Sequence, residues 1–316
     1  MTALLSKPTR FRAYQLGEPG SSFSYFDGST FTLIEARVTD LSRPCLKAEL
    51  EECDRSGIGC LHITGWDNDH CGTADLEEIL DEYAPARIEY PGYEPHTDTA
   101  KTCLELIRKH KRVRAKAVVQ KIDPPYIRSL EIGPQWGYRD ILYHPQKLSD
   151  NNNDNSTIKL FRTGCFNVAS LGDVESNFIS AWLRRLRTFS TEVDVLILAH
   201  HGAENGFTSS AFLRLVRPTV AVCSADYDNK FDHPRQEIRD LLHKYEIPLF
   251  TTKTGDIVIK SLSPHTQTCK LLNLIADSHQ LSSEKTFTTK KSRKLHHNLD
   301  TVRQTYAGNR AWYKKF

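Results

Sequence analysis

Apolar and polar positions along this chain alternate between two periods, which predicts strands and helices in turn and no internal repeat. Two strand-like runs, Phe11–Leu16 and Thr30–Val38, are separated by Gly-, Pro- and Ser-rich turn chemistry. Residues 42–56 suit a helix, and Gly57-Ile58-Gly59 then leads into the short strand Cys60–Thr64. Leu76, Ile79 and Leu80 recur at helical spacing within a helix over Asp75–Glu82. A second helix is expected over 98–112, ending in the basic cluster Arg108–Arg112. A strand at Ile141-Leu142-Tyr143 precedes an Asn-, Asp- and Ser-rich stretch over 144–156, which has no apolar face to bury and reads as a connection. Strands follow over 157–161 and 166–173. A helix comes next, then Val193–His200, whose continuous apolar pattern predicts a strand buried on both faces. Residues 218–225, 248–252 and 256–262 are further strands, and Arg235–Tyr245 is a helix.

The length of 316 residues is enough for one large domain or two small ones, and for a core that needs no disulfide scaffold. Mean hydropathy is −0.48. No run approaches the roughly 18 apolar residues of a membrane span. The first residues lack the apolar stretch and cleavage site of a secretory signal, so a cytoplasmic protein without a membrane part is expected. Eight cysteines are scattered with no C-x-x-C pair, which argues against a zinc ribbon or a thioredoxin-like site. From Glu284 to Phe316 there are nine basic and two acidic residues, so a net charge of +7 sits on a body of −4. The predicted organisation is a domain over 1–275, then a Ser/Thr-rich linker and a basic, aromatic tail over 276–316. Such a tail suits nucleic acid, a protein partner or a solvated end.

Residues able to hold a metal gather at four predicted strand ends. The first is Thr64–Gly72, where Asp67, Asp69 and His70 precede a helix; carboxylate and imidazole together suit zinc, manganese or iron, and the same residues also suit a helix-capping turn. The second is Leu171–Glu175, with Asp173 after a glycine. The third is Ala199-His200-His201-Gly202, where one imidazole could ligate while its neighbour faces substrate. The fourth is Asn229–Pro234, where His233 could be a ligand, a general acid or a phosphate contact.

In order and context these blocks resemble the metallo-β-lactamase fold, and most closely the hydrolase domain of the ComEC family of DNA-uptake channel proteins. The resemblance covers about residues 10–262. It is carried by HITGWDNDHCGTADLEEIL, DNSTIKLFRTGCFNVASLGDVE, VDVLILAHHGAENG, RPTVAVCSADYDNKFDHPRQEI and LFTTKTGDIVI. It implies an α/β chain folded as an αββα sandwich of two mixed sheets, with the metal site at the strand ends. One departure stands out: the family's H-x-H-x-D-H reads Gly65-Trp66-Asp67-Asn68-Asp69-His70 here. Carried over residue by residue, one site keeps Asp69, His70, Asp173 and a histidine from His200/His201. The other keeps Asp67 and Asp173, unless His96, His144 or His233 joins it. Replacing two imidazoles by one carboxylate weakens zinc there and favours manganese or magnesium.

The function this implies is metal-dependent hydrolysis of a phosphodiester, in DNA by family analogy, with one or two zinc or manganese ions per chain. Asp69 or Asp173 would accept the water proton, and His200, His201 or His233 would stabilise charge or protonate the leaving oxygen. Without a channel, the chain reads as a restrained nuclease, for example an antiviral effector held by a protein partner. A small-ester or nucleotide hydrolase, and a metal-poor binding module, are the alternatives.

Overall fold

The computed structural model describes residues 6–131, 139–276, 278 and 280–297. Six strands open the chain: β1 (Arg10–Ala13), β2 (Phe23–Phe26), β3 (Phe31–Ile34), β4 (Cys60–His62), β5 (Arg87–Pro91) and β6 (Val118–Ile122). The next six are β7 (Ile141–His144), β8 (Ile158–Phe161), β9 (Val168–Ser170), β10 (Val195–Ile197), β11 (Val220–Cys223) and β12 (Leu249–Thr251). Three more follow: β13 (Ile257–Ser261), β14 (Thr268–Leu274) and β15 (Leu281–Thr288). Among the described residues these make two mixed sheets, ordered β15-β14-β13-β1-β2-β3-β4-β5-β6 and β12-β11-β10-β9-β8-β7.

Side-chain alternation explains why the sheets face each other. In β10, Val195 and Ile197 enter the core between the sheets, whereas Leu196 packs under the helices. β11 repeats the pattern, with Val220 and Val222 inward and Ala221 and Cys223 outward. Both strands are therefore apolar throughout, as the run Val193–His200 predicts. The first sheet is covered by α1 (Ser42–Glu52), α2 (Thr73–Glu78) and α3 (Asp98–Val113), which bury Leu46, Leu76 and Ile107 against Leu33 and Leu61. Helix α4 (Pro124–Glu131) packs against β6 of the first sheet and β7 of the second. The second sheet is covered by α5 (Asn177–Leu183), α6 (Arg187–Glu192), α7 (Ser210–Val216) and α8 (Gln236–Lys244). The four layers are helices, sheet, sheet and helices. No helix among the described residues is long and apolar enough to cross a membrane.

Several elements differ from the sequence reading. The helix expected to reach residue 56 stops at Glu52, where Asp54 turns left-handed at φ 53°. The helix after Gly72 starts two residues earlier than expected and runs on as a wider turn over Ile79–Tyr83. Strands β5 and β6, the edge of the first sheet, carried no clear alternation. The segment 276–290, read as a linker, contains β15, which pairs along its length with β14. Its pattern hid it, because Phe287 is its one buried residue. Helix α9 (Lys290–His297) follows and touches α6. The remainder of the tail, residues 298–316, lies outside the described residues.

Candidate metal centre

Parallel strands that end level with one another place their following loops together. Four such loops converge here, after β4, β9, β10 and β11, and the end of β3 supplies Glu35 beneath them. The β4 loop turns back on itself, His70 N and Cys71 N both donating to the Asp67 carbonyl. Arg37 fixes that loop from below, its guanidinium donating to the Asn68 and Pro19 carbonyls and to the Asp75 carboxylate. After β9, Gly172 adopts φ +56°, and a Cβ there would lie 2.6 Å from that of Ser156. A glycine is what lets Asp173 turn inward, and Ser156 Oγ then accepts from its backbone N–H.

The histidine pair after β10 is held in an uncommon backbone state. His200 and His201 both have positive φ, 47° and 51°. Left-handed backbone costs a side-chain-bearing residue roughly 1–2 kcal/mol, and clusters of it mark functional sites. The turn is held by His200 N donating to the Gly172 carbonyl and Ala203 N donating to the His200 carbonyl. Gly202 then passes so close to Pro234 that a Cβ would sit 2.6 Å from the proline's own.

This backbone brings Asp69, His70, Asp173 and His201 together, one ligand atom from each lying within 4.8 Å of every other. His70 Nε2 is 3.0 Å from Asp173 Oδ1, and His201 Nε2 is 3.2 Å from Asp69 Oδ2. Both rings are oriented from behind. His70 Nδ1 lies 3.2 Å from Glu35 Oε1, and His201 Nδ1 donates to the Ser224 carbonyl at 2.9 Å. Each ring thus has an acceptor on both sides; with a cation among the carboxylates, the acceptor behind Nδ1 keeps that proton and leaves the Nε2 lone pair for the metal. That is the tautomer a metal ligand needs.

Charge makes the same point. Burial alone would raise the Asp69 and Asp173 carboxyls, but His70 and His201 hold both below the usual carboxylate range. Burial alone would lower His70; Asp173, Glu35 and Asp69 instead raise it well above its ordinary value. His201 is raised too, against its burial, by Asp69 and Asp173. The cluster thus demands positive charge at its centre. His70 Nε2 is moreover buried and makes no hydrogen bond of good geometry. A void of about 10 Å³, the room a single ion or water needs, lies against His70, Asp173 and His201. Inward-facing Nε2 atoms, carboxylates beside them and a void of this size fit a divalent cation. Oxygen and imidazole donors in this ratio suit zinc or manganese.

The other predicted residues lie around this group. His200 Nε2 is 3.9 Å from Asp173 Oδ2, while its Nδ1 is 2.7 Å from Glu175 Oε1. His233 stacks against His201 and, with Asp69, lines a mouth of about 80 Å³. Burial, then the neighbouring His201 and His200, pull it down to about 4. Asp67 is exposed and stands outside the four-residue group. His144 is buried against the Asp154 carbonyl at 2.6 Å and His96 is exposed, so neither joins a second set with Asp67. Glu35 and its partner Thr64, which donates to Glu35 through both N and Oγ1, are site residues that the motif reading missed. The signal was an acidic residue closing an otherwise apolar strand.

Comparison with known proteins follows this geometry. No family model matches the chain. It is 24% identical over 200 residues to ComE operon protein 3 of Bacillus subtilis, covering 62% of this chain and 23% of that protein. It is 31% identical over 120 residues to Recombination protein 2 of Haemophilus influenzae, covering 36% of this chain and 14% of that one. The chain thus spans less than a quarter of the length of either relative. Among solved structures, the metallo-β-lactamase fold protein YhfI of Bacillus subtilis matches with a TM-score of 0.50 at 11% identity, over 80% of this chain and all of that one. With two facing mixed sheets, helices outside and a carboxylate–imidazole cluster at the strand ends, the chain has the metallo-β-lactamase fold, and its relatives are ComEC-like.

Proposed function

We propose that this chain is a metal-dependent hydrolase that cleaves phosphodiesters, with DNA as its substrate. The observation that carries the reading is the four-residue cluster with both imidazoles turned Nε2-inward. Asp69, His70, Asp173 and His201 would hold the cation. Such a cation acidifies water and stabilises charge on a phosphoryl oxygen. Asp69, one-third exposed on the mouth side of the cluster, is placed to accept the proton of the attacking water. His200, whose Nδ1 lies 2.7 Å from Glu175 Oε1, stands at the mouth where its Nε2 would contact the leaving oxygen. His233, neutral near pH 7, serves as an uncharged hydrogen-bonding wall of the mouth. Substrate class rests on the similarity to Recombination protein 2 and ComE operon protein 3, not on a nucleic-acid motif. A partner protein that restrains the activity is part of the same reading.

The test is incubation of the purified chain with supercoiled and linear DNA in the presence of Mn²⁺, Zn²⁺ or EDTA, alongside metal analysis. Cleavage should require metal, and Asp173→Ala should remove both cleavage and bound metal while circular dichroism stays unchanged. Full cleavage by a folded Asp173→Ala chain would overturn the assignment. A metal-loaded chain that cleaves small esters and leaves DNA intact would replace the substrate class.

A further inference from the structure

A column of aromatic rings leads out of the metal cluster. The rings of His201 and His233 are parallel, with centroids 6.2 Å apart and planes at 7°. Phe231 stacks on His233 in turn, at 5.5 Å and 24°. His201 belongs to the cluster, so three stacked rings run from a metal-ligating residue to solvent, where Phe231 is 58% exposed. Phe231 also lines the mouth together with Asp69, His200 and His233. Phe231 thus stands in water at the entrance of the candidate site. Beside it, Lys230 Nζ lies 4.8 Å from the ring centroid, a cation held on the π face.

We propose that Phe231 is the base-stacking platform of this site, and that the site therefore selects strands with an unpaired base. The inference rests on the phosphodiester reading above and names what that substrate must present. A base seated on Phe231 lies at the outer end of the column, with the strand running from there along the mouth to the cluster. It also displaces the Lys230 ammonium from the ring, freeing it to neutralise a phosphate. Bases inside a duplex are stacked on both faces and offer no free face to the ring. Single strands and frayed ends do.

The experiment titrates the full chain into a short single-stranded oligonucleotide carrying 2-aminopurine, in EDTA, so that fluorescence reports stacking without turnover. Phe231→Ala should weaken binding roughly tenfold and remove the quench, in line with the usual worth of one stacked base. Phe231→Trp should retain both. Phe178→Ala, which removes a phenyl 81% exposed on α5 and outside the column, should bind like the parent. With Mn²⁺ present, Phe231→Ala should raise KM for single strands while kcat is held, and should not raise KM for a blunt duplex of the same sequence. Unchanged affinity and quench in Phe231→Ala overturn the platform even where DNA is cleaved, as does a parent chain that gives no quench. An equal loss on single strands and duplex overturns the selection for unpaired bases. Loss of the quench in a chain that never cleaves DNA upholds the platform and removes the hydrolytic reading instead.

Discussion

Glu35 Oε1 lies 3.2 Å from His70 Nδ1, a carboxylate that closes β3 reaching across to orient an imidazole on the β4 loop. Both side chains are buried, at 2% and 3% exposure. The Glu35 carboxylate is fixed in its turn, since Thr64 donates to Oε2 from its backbone at 2.9 Å and to Oε1 from its hydroxyl. Glu35 itself has φ 70°, so the strand ends on a left-handed residue whose cost the contact must offset. The relation decides which nitrogen of His70 faces the cluster.

Glu35→Gln tests that relation. A glutamine keeps an oxygen for Thr64 but can turn its NH₂ toward Nδ1. The favoured tautomer of His70 then carries its proton on Nε2, pointing at the cation. Loss of such an orienting carboxylate typically weakens metal binding roughly 10–100-fold. Competition with a chromophoric chelator should show that drop with the far-ultraviolet spectrum unchanged. Parental affinity in the variant would mean that Glu35 only fills space.

Asp69, His70, Asp173 and the His200-His201 pair could all be read from the sequence, because each lies in a short polar block directly after a strand-like run. The two facing sheets followed from the family resemblance, whereas the apolar run around Val195–Ile197 showed by itself only a strand buried on both faces. Glu35 could not be read: a single acidic residue closing an apolar strand looks like any solvent-facing position. Nor could β15, where alternation leaves only Phe287 buried and the remaining positions polar and exposed. Choosing between His200 and His201 as the ligand needed the backbone. Only the left-handed turn sends Nε2 of His201 into the cluster and Nδ1 of His200 toward Glu175.

Gly65 marks where the cluster has room to grow. A Cβ placed there would lie 3.7 Å from the Tyr93 hydroxyl, 3.8 Å from Ser156 Oγ and 3.9 Å from His70 Cγ, ordinary contacts beside the site. Asp67 is exposed and tolerates replacement. The double variant Gly65→His, Asp67→His places two imidazoles next to the four candidate ligands. Zinc per folded chain, measured by elemental analysis after dialysis, should rise from about one toward two, as expected when imidazole donors replace a lone carboxylate. An unchanged stoichiometry would mean that the second set of ligands is arranged differently from the family pattern.

The docking of α9 should depend on pH. Lys291 is 1% exposed and donates through Nζ to the Arg162 and Gly164 carbonyls. Burial, and then the charge of Arg162, bring its amine from 10.5 down to about 8. Between those values the unfolded chain binds the proton and the folded chain has released it, so stability rises with pH across that window. Urea unfolding at pH 7.5 and 9.5 should show a rise on the order of 1–2 kcal/mol in the parent relative to Lys291→Met. The same rise in both chains would place the titration elsewhere.

A tail truncation must be cut to respect the sheet. Removal of everything after Ser283 would sever β15 between its pairings with β14 and delete α9, so the cut belongs after His297. Residues 298–316 hold Arg303, Arg310, Lys314 and Lys315 against Asp300, with Tyr306, Trp312, Tyr313 and Phe316 among them. Cations neutralise phosphates while aromatic rings stack on bases, a composition that suits single-stranded nucleic acid. It suits a protein groove equally, because tryptophan, tyrosine and arginine dominate interface hot spots. Salt separates the two. Each neutralised phosphate contributes about 0.7 to the slope of log affinity against log salt for single strands, so losing four cations should flatten the slope by roughly 2–3. Fluorescence anisotropy of labelled single strands at several salt concentrations should show that flattening, with metal content unchanged because the cluster lies wholly within residues 69–201. Identical slopes in the parent and the truncated chain would mark the tail as a docking element for another protein or as a plain solvated end instead.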